Sequence, residues 1–291
     1  MDTEKCRALL YTIEMGSLSA AAEKLGYTPS GISRMMASLE TETGFPLLVR
    51  SRSGVTPTQE CAKLLPLFRA LCNYGDQFEQ TASEIRGLES GVVTVGISSS
   101  GYYRWLSQVI ADFCRIYPKI EVRVLDGISS ELTVAMEEHR ADLCLISRRE
   151  GNFQWLPLDT EEMVAWVPEG HPLANAKSFP LSQFSKDPYI DISHTSDTDC
   201  SLLLDRNGIT PNVRFTANDS YAAYLMVEAG LGISLNQSMV TLDWAGRVAI
   251  KPLDPPQPVE IGLAIPETLA PAARRFADFA AERTEKTVHG L

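Results

Sequence analysis

From Gly91 onward the chain alternates short β-branched runs with helical stretches, and this alternation restricts its architecture more than any other feature. The runs are 92–97, 120–125, 143–146, 163–167, 189–192, 213–216, 233–235 and 259–265, and helical stretches at 105–117, 131–139, 202–207 and 221–229 lie between several of them. Strand–helix–strand repetition calls for βαβ units, mainly parallel sheets and helices on their faces. The chain has 291 residues, more than one ordinary domain, and 44% of them are hydrophobic, enough to bury a sizeable core.

The first ninety residues follow other rules. Leu9, Leu10 and Ile13 recur at helical spacing until Gly16; Ser17 or Ser19 caps a second helix through Leu25, and Gly26 stops it. Thr28-Pro29 opens a third helix, with Thr as N-cap and Pro at the first helical position. It carries Ile32, Met36 and Leu39 on one face and ends before Gly44-Phe45-Pro46. Residues 47–49 and 54–56 suit a small hairpin with Arg50-Ser51-Arg52-Ser53 at its tip. From Thr58 to about Glu89, Cys61, Leu64, Phe68, Leu71, Gly75, Phe78, Ala82 and Ile85 alternate in steps of three and four. That is a coiled-coil repeat, for which a partner chain is the expected cover, with a kink at Pro66.

Ala22, Gly26 and Ile32 stand four and six residues apart, the skeleton of a helix-turn-helix: a small residue where the helices cross, Gly in the turn, and a branched residue locking the second helix. The run from Gly16 to Arg34, followed by Leu39-Glu40 and the segment from Gly44 to Arg50, resembles the winged helix-turn-helix of LysR-type transcriptional regulators. The resemblance spans nearly all of residues 1–60. It implies that the third helix enters the major groove of double-stranded DNA with Thr28, Pro29, Ser30, Ser33 and Arg34 at the contact, Ser30, Ser33 and Arg34 facing bases and phosphates, while Arg50 and Arg52 touch the backbone. Met35 and Ala37 stand where the family often has polar or basic residues. Gly31 replaces the usual Ala, at a cost of about 1 kcal/mol to the helix.

The C-terminal two hundred residues resemble the effector domain of the same family, a two-lobed fold like periplasmic solute-binding proteins, through residues 92–97, 167–174 and 227–235. The expected whole is therefore an α+β multidomain chain: a winged helix-turn-helix over 1–58, a linker and dimerisation helix over 59–90, and an α/β two-lobed effector domain over 91–291. Lobe one is expected at 91–160 plus 266–291 and lobe two at 161–265, with crossings near 161–165 and 262–268. The family forms dimers and frequently tetramers, so a homodimer or homotetramer is implied.

Ligands of open α/β sheets sit beyond the carboxyl ends of the strands, where helix N-termini point. Ser98, Ser99 and Ser100 follow the first strand there; helix capping would need only one of them. Thr195 and Ser196 hold the matching place in lobe two, where Asp197 and Asp199 would repel an anion. Gly127, Ser147, Asn218 and Gly232 complete the rim by the same strand-end rule, though each alone reads equally well as a loop residue. Tyr102, Tyr103 and Trp105 suit either an aromatic effector or a half-buried core. The expected effector is a small molecule, a carboxylate or an aromatic metabolite.

Other classes fit less well. No nucleophile elbow, Walker loop or GxGxxG after a strand occurs, and His171 and His194 lack neighbours at metal-ligand spacing, so no catalytic residue, metal or cofactor is expected. A redox regulator using Cys200 is an alternative, since peroxide-sensing members of the family use a cysteine pair in this region, but no second cysteine lies near it in sequence. An enzyme or a solute-binding protein on the two-lobed fold is another. The acidic start, the absence of a long apolar run and the scattered six cysteines point to a cytoplasmic chain without membrane attachment.

Charge sharpens the division. With 26 Lys and Arg against 37 Asp and Glu, the net charge is −11, which excludes a uniformly basic DNA-binding surface. Between Lys24 and Arg52, however, four basic residues face two acidic ones, while residues 91–291 hold 17 basic and 26 acidic. The DNA-facing surface is thus expected to be small and local, with strongly salt-dependent affinity.

Overall fold

Capping side chains set the limits of the first three helices. The computed structural model describes residues 2–52, 54–86, 90–192, 197–241 and 244–287. Asp2 caps α1 (Thr3–Glu14), Ser17 caps α2 (Leu18–Leu25), and Thr28 caps α3 (Pro29–Thr43), each accepting a hydrogen bond from a first-turn N–H. Gly26 and Gly44 close α2 and α3 in the left-handed region, at φ of 71° and 83°, where a side chain would be strained. Gly31 has a local reason: a Cβ there would lie 3.2 Å from the Thr28 Oγ1 that accepts the Gly31 N–H. The apolar faces meet in one core of Leu9, Ala22, Ile32, Met36, Leu39 and Leu47.

Strands β1 (Leu48–Ser51) and β2 (Gly54–Pro57) form the wing, so Arg50 lies within a strand, paired with Val55, and only Arg52 lies in the turn. Glu40 Oε1 accepts the Leu47 and Leu48 N–H groups at 2.8 and 3.3 Å and so fixes where the wing begins.

Helix α4 (Gln59–Ile85) is continuous through Pro66. Its repeat divides between two faces. Cys61, Phe68 and Cys72 are buried in the unit's own core rather than against a partner, and Arg7 of α1 holds Asp76 with a two-pronged ion pair at 2.6 and 3.3 Å. Leu67, Leu71, Tyr74, Phe78 and Ile85 remain exposed, at 76% for Phe78 and 82% for Ile85. Periodicity reports that a stripe exists but not which of two adjacent stripes its own domain covers.

The chain divides into two compact units: residues up to Ser90 with 137–140 in the first, and the remainder in the second. In the second unit β3 (Gly91–Ile97) pairs in parallel with β4 (Ile120–Asp126) and β5 (Leu143–Ser147), joined by α5 (Tyr103–Ile116) and α6 (Ser129–Glu137). β6 (Gln154–Pro168) is unusually long. It is followed by β7 (Phe179–Pro180), β8 (Tyr189–Ile192), α7 (Asp199–Arg206), β9 (Val213–Ala217), α8 (Ser220–Glu228), β10 (Ser234–Gln237), β11 (Val248–Asp254), β12 (Pro258–Ile265) and α9 (Pro271–Thr287). The first half of β6, to Glu162, pairs antiparallel with β12; from Met163 it pairs antiparallel with β10 and β11. β8 and β9 pair in parallel and join lobe two through Tyr189 and Ile233.

Two expectations need correcting. Of eight strand pairings described in this unit, four are antiparallel, because β6 and β12 run against their neighbours. Strand β12 also lies in lobe one, between β5 and β6, so the second crossing falls between Asp254 and Pro258 and not at 262–268. An apolar β-branched run is equally suited to either sheet, and only the pairing decides. Helix α9, too, belongs to lobe one: Phe276 packs edge-on to Phe113 of α5, with ring centres 5.0 Å apart. No helix among the described residues is long and apolar enough to cross a membrane.

Candidate functional site

Two surfaces gather the residues singled out above. On α3, burial of Ile32, Met36 and Leu39 turns the opposite edge outward. Thr28, Pro29, Ser30 and Arg34 are exposed, and Ser33 is partly so. Thr28 Oγ1 is engaged with the Gly31 N–H and lies 3.1 Å from Ser30 Oγ, while Arg34 Nε donates to the Ser30 carbonyl at 3.3 Å. Arg50 and Arg52 are exposed on the wing.

The second surface lies where the strands of the two lobes end toward each other. Ser99 follows β3 and is buried, yet its side chain caps nothing: its Oγ donates across the cleft to Gln237 Oε1, at the end of β10, at 2.5 Å. Ser129 Oγ, at the start of α6, donates to Ser98 Oγ at 2.9 Å, lies 2.8 Å from Ser147 Oγ and accepts the Ser147 N–H at 3.2 Å. Ser147 Oγ, fully buried, donates to Asp199 Oδ1 at 2.5 Å. Arg149 reaches the same oxygen at 2.6 Å, and Gln237 Nε2 donates to Asp199 Oδ2 at 2.8 Å. Three polar side chains from the two lobes, Ser147, Arg149 and Gln237, thus converge on one carboxylate, with Ser98, Ser99 and Ser129 hydrogen-bonded behind them. The anticipated repulsion at Asp199 is absent because Arg149, only 16% exposed, balances its charge.

The other rim candidates divide. Ser100 is exposed and outside this network. Gly127 donates its N–H to the Ile97 carbonyl, which keeps the β4 end close to β3. Asn218 is exposed beside the cap of α8. Gly232 is a packing residue, since a Cβ there would lie 2.3 Å from the Pro188 carbonyl oxygen. Thr195 and Ser196 lie outside the described residues, as does His194. Tyr102 belongs to the lobe-one core, with its hydroxyl on Asp159 at 3.1 Å.

Sequence reading overlooked Ser129, Arg149 and Gln237. Ser129 and Arg149 fall two residues beyond Gly127 and Ser147, and Gln237 closes its strand. Extending the strand-end rule by two positions would have found the first two; Gln237 carried no signal of its own.

One buried acid marks the hinge. Glu161 lies on β6 next to the crossing, 3% exposed, and its Oε2 accepts the Met239 N–H at 2.9 Å, which ties the turn after β10 to the hinge strand. Its Oε1 is buried without a hydrogen-bond partner among the described residues. Burial pushes this carboxyl above the usual carboxylate range, only partly offset by the Met239 N–H. A raised carboxyl in the folded state costs stability as pH rises through its folded value and nothing below the unfolded one. Glu161→Gln keeps an acceptor for Met239 and cannot ionise. It is expected to raise the Tm at pH 8 by about 2–4 °C, with the gain fading toward pH 4, as scanning calorimetry would record. An equal gain at both pH values would exclude this cause.

His171 is structural: its Nδ1 accepts the Leu173 N–H and its Nε2 donates to Asp187 at 2.9 Å. Cys200 Sγ contacts the Leu235 carbonyl at 3.1 Å, and burial pushes its thiol far up, which disfavours the reactive thiolate that a redox role requires. No group of three or more His, Cys, Asp or Glu among the described residues is placed to hold a metal.

The chain matches two families. Residues 3–62 match "Bacterial regulatory helix-turn-helix protein, lysR family", and residues 86–285 match "LysR substrate binding domain". The uncharacterized HTH-type transcriptional regulator YvbU of Bacillus subtilis is 23% identical over 97% of this chain and 98% of its own. Full-length OxyR C199D from Pseudomonas aeruginosa superposes with a TM-score of 0.67 at 18% identity, covering 97% of each chain. Full-length CbnR complexed with its target DNA has a TM-score of 0.66 at 18% identity, over 98% of this chain and all of the other.

Proposed function

The chain belongs to the LysR family of bacterial transcriptional regulators, and from that premise we propose how its two units divide the work. It is a DNA-binding regulator with an effector-binding domain, not an enzyme. The observation that carries the assignment of roles is the outward edge of α3: Ser30, Ser33 and Arg34 stand free of a core that fully buries Ile32 and Leu39 behind them. That edge enters the major groove, with Arg34 on base edges and Thr28, Pro29 and the α3 N-terminus against a phosphate. Arg50 and Arg52 flank it on the backbone. The relative solved with its target DNA supports this reading. A protein whose partner is the chromosome works in the cytoplasm.

The exposed stripe on α4 pairs two chains in a homodimer. In the dimer, two recognition helices meet successive major grooves about 34–36 Å apart. The cleft holds the effector: Ser98, Ser99 and Ser147 from lobe one face Gln237 and Asp199 from lobe two, and these groups fit a small carboxylate or a polar aromatic metabolite. Closing on a ligand changes the relation of the lobes, and with it the assembly and bend of the DNA-bound oligomer.

A thermal-shift screen of small carboxylates and aromatic metabolites identifies a stabilising ligand, and the serines then report the site. Ser99→Ala is expected to weaken that ligand about 3- to 10-fold, the worth of one hydrogen bond. Ser100→Ala leaves it unchanged, because Ser100 is exposed and outside the network. Equal ligand response in Ser99→Ala and the parent would remove the cleft from the effector role.

A further inference from the structure

We propose that Asp199 is the built-in occupant of a carboxylate site, which takes a small organic acid in exchange for it. The proposal rests on the cleft being the effector site and names the chemistry of what enters. Ser147 ends β5, Arg149 follows it, and Gln237 ends β10; together they direct a hydroxyl, a guanidinium and an amide N–H onto both oxygens of one carboxylate, at 2.5, 2.6 and 2.8 Å. Charge-assisted donors in this number suit a carboxylate better than any neutral group. The carboxylate they hold belongs to the first residue of α7, a short helix of lobe two, while Ser147 and Arg149 belong to lobe one. Asp199 therefore works as a latch between the lobes.

A cavity of about 340 Å³ opens beside the latch, lined by Arg149 and Asp199 themselves and by Arg148, Arg206, Leu202 and Val259 among others. The volume is at the lower end of those that hold small organic molecules. Arg148 is held by Glu260 at 2.7 Å, whereas Arg206 makes no ion pair among the described residues. The lining carries three guanidinium groups against two carboxylates, so it attracts an anion, and Leu202, Leu203 and Val259 offer apolar surface for the rest of the molecule. An acid in this cavity takes Arg149 and Ser147, and Asp199 is released with α7. No covalent change is involved: one carboxylate replaces another, and the contact that joins the lobes is traded for a contact to the ligand.

The test is chemical rescue of the full-length chain with acetate. Asp199→Ala empties the site and is expected to lower the Tm by about 3–6 °C. Acetate raised through about 100 mM restores at least half of that loss, while sodium chloride at equal ionic strength does not. Asp199→Asn fills the same space, so acetate leaves its Tm alone, and adding Arg149→Gln to Asp199→Ala abolishes the rescue. Asp199→Ser, which keeps a small polar residue at the helix start, provides the same opening if the alanine variant does not fold. Acetate that fails to stabilise either small-residue variant, or that stabilises the Arg149→Gln double variant equally, overturns the carboxylate site. Rescue without any effect of acetate on operator affinity upholds the site and counts instead against the cleft as the effector switch.

Discussion

Arg34→Ala is expected to abolish sequence-specific operator binding while leaving the protein folded and its oligomer intact. The side chain is exposed and its hydrogen bond among the described residues is Nε to the Ser30 carbonyl at 3.3 Å, so its removal leaves no cavity and no buried orphaned partner. A well-made arginine–base contact is worth about 1–3 kcal/mol of discrimination. A dimer loses it twice, which at 1.4 kcal/mol per factor of ten amounts to a fall of roughly 30- to 10⁴-fold in specific affinity. Fluorescence anisotropy on operator and scrambled duplexes reads the two terms apart: specific binding collapses toward the nonspecific level. Arg50→Ala provides the contrast. It weakens both duplexes alike and lowers the slope of log K against log salt by about one per protomer, as loss of a phosphate contact requires. Specific binding that survives Arg34→Ala would take α3 out of the groove.

The second large effect is expected at Phe78. Leu67 and Tyr74 share one heptad position on α4, and Leu71, Phe78 and Ile85 share another, so the exposed stripe has the register of a coiled-coil seam. Over this length it runs about 27 Å along the helix. Phe78→Asp costs the isolated chain little, because the ring is already 76% exposed. In a paired seam it buries two like charges. The dimer is expected to dissociate at micromolar concentration in sedimentation velocity. Operator affinity then falls by at least about 100-fold, since the second half-site no longer benefits from a tethered partner. A dimer that persists in Phe78→Asp would place the interface elsewhere.

These two sites differ in how far they were legible beforehand. The α3 edge follows from local rules: Thr28 and Pro29 start the helix, Gly44 stops it, and buried Ile32, Met36 and Leu39 leave only one face for DNA. The α4 seam was half legible. A repeat running through Cys61, Phe68 and Phe78 reads as one stripe, but the unit's own core takes Cys61, Phe68 and Cys72, and the free stripe is turned to Leu67 and Tyr74. The cleft was less legible still. Ser98, Ser99 and Ser147 follow from strand ends, whereas Gly232 serves packing, Ser100 is exposed outside the network, and Arg149 and Gln237 carry no such signal. Asp199 was recognised only as a charge that would repel an anion, because its partner Arg149 lies fifty positions earlier, in the other lobe.

The sequence by itself determined what depends on near neighbours along the chain: the caps and turns of the helix-turn-helix, the amphipathic faces, most of the strands, and the local excess of positive charge over residues 24–52. Those features come from propensities and hydrogen bonds spanning a few residues, which any local window contains. Tertiary structure alone decided which sheet takes β12, which face of α4 is left bare, and which side chains from two lobes meet around Asp199. Each of these rests on pairings between distant segments, where an apolar run or a serine fits several neighbours almost equally well. Packing of the whole unit selects one of them.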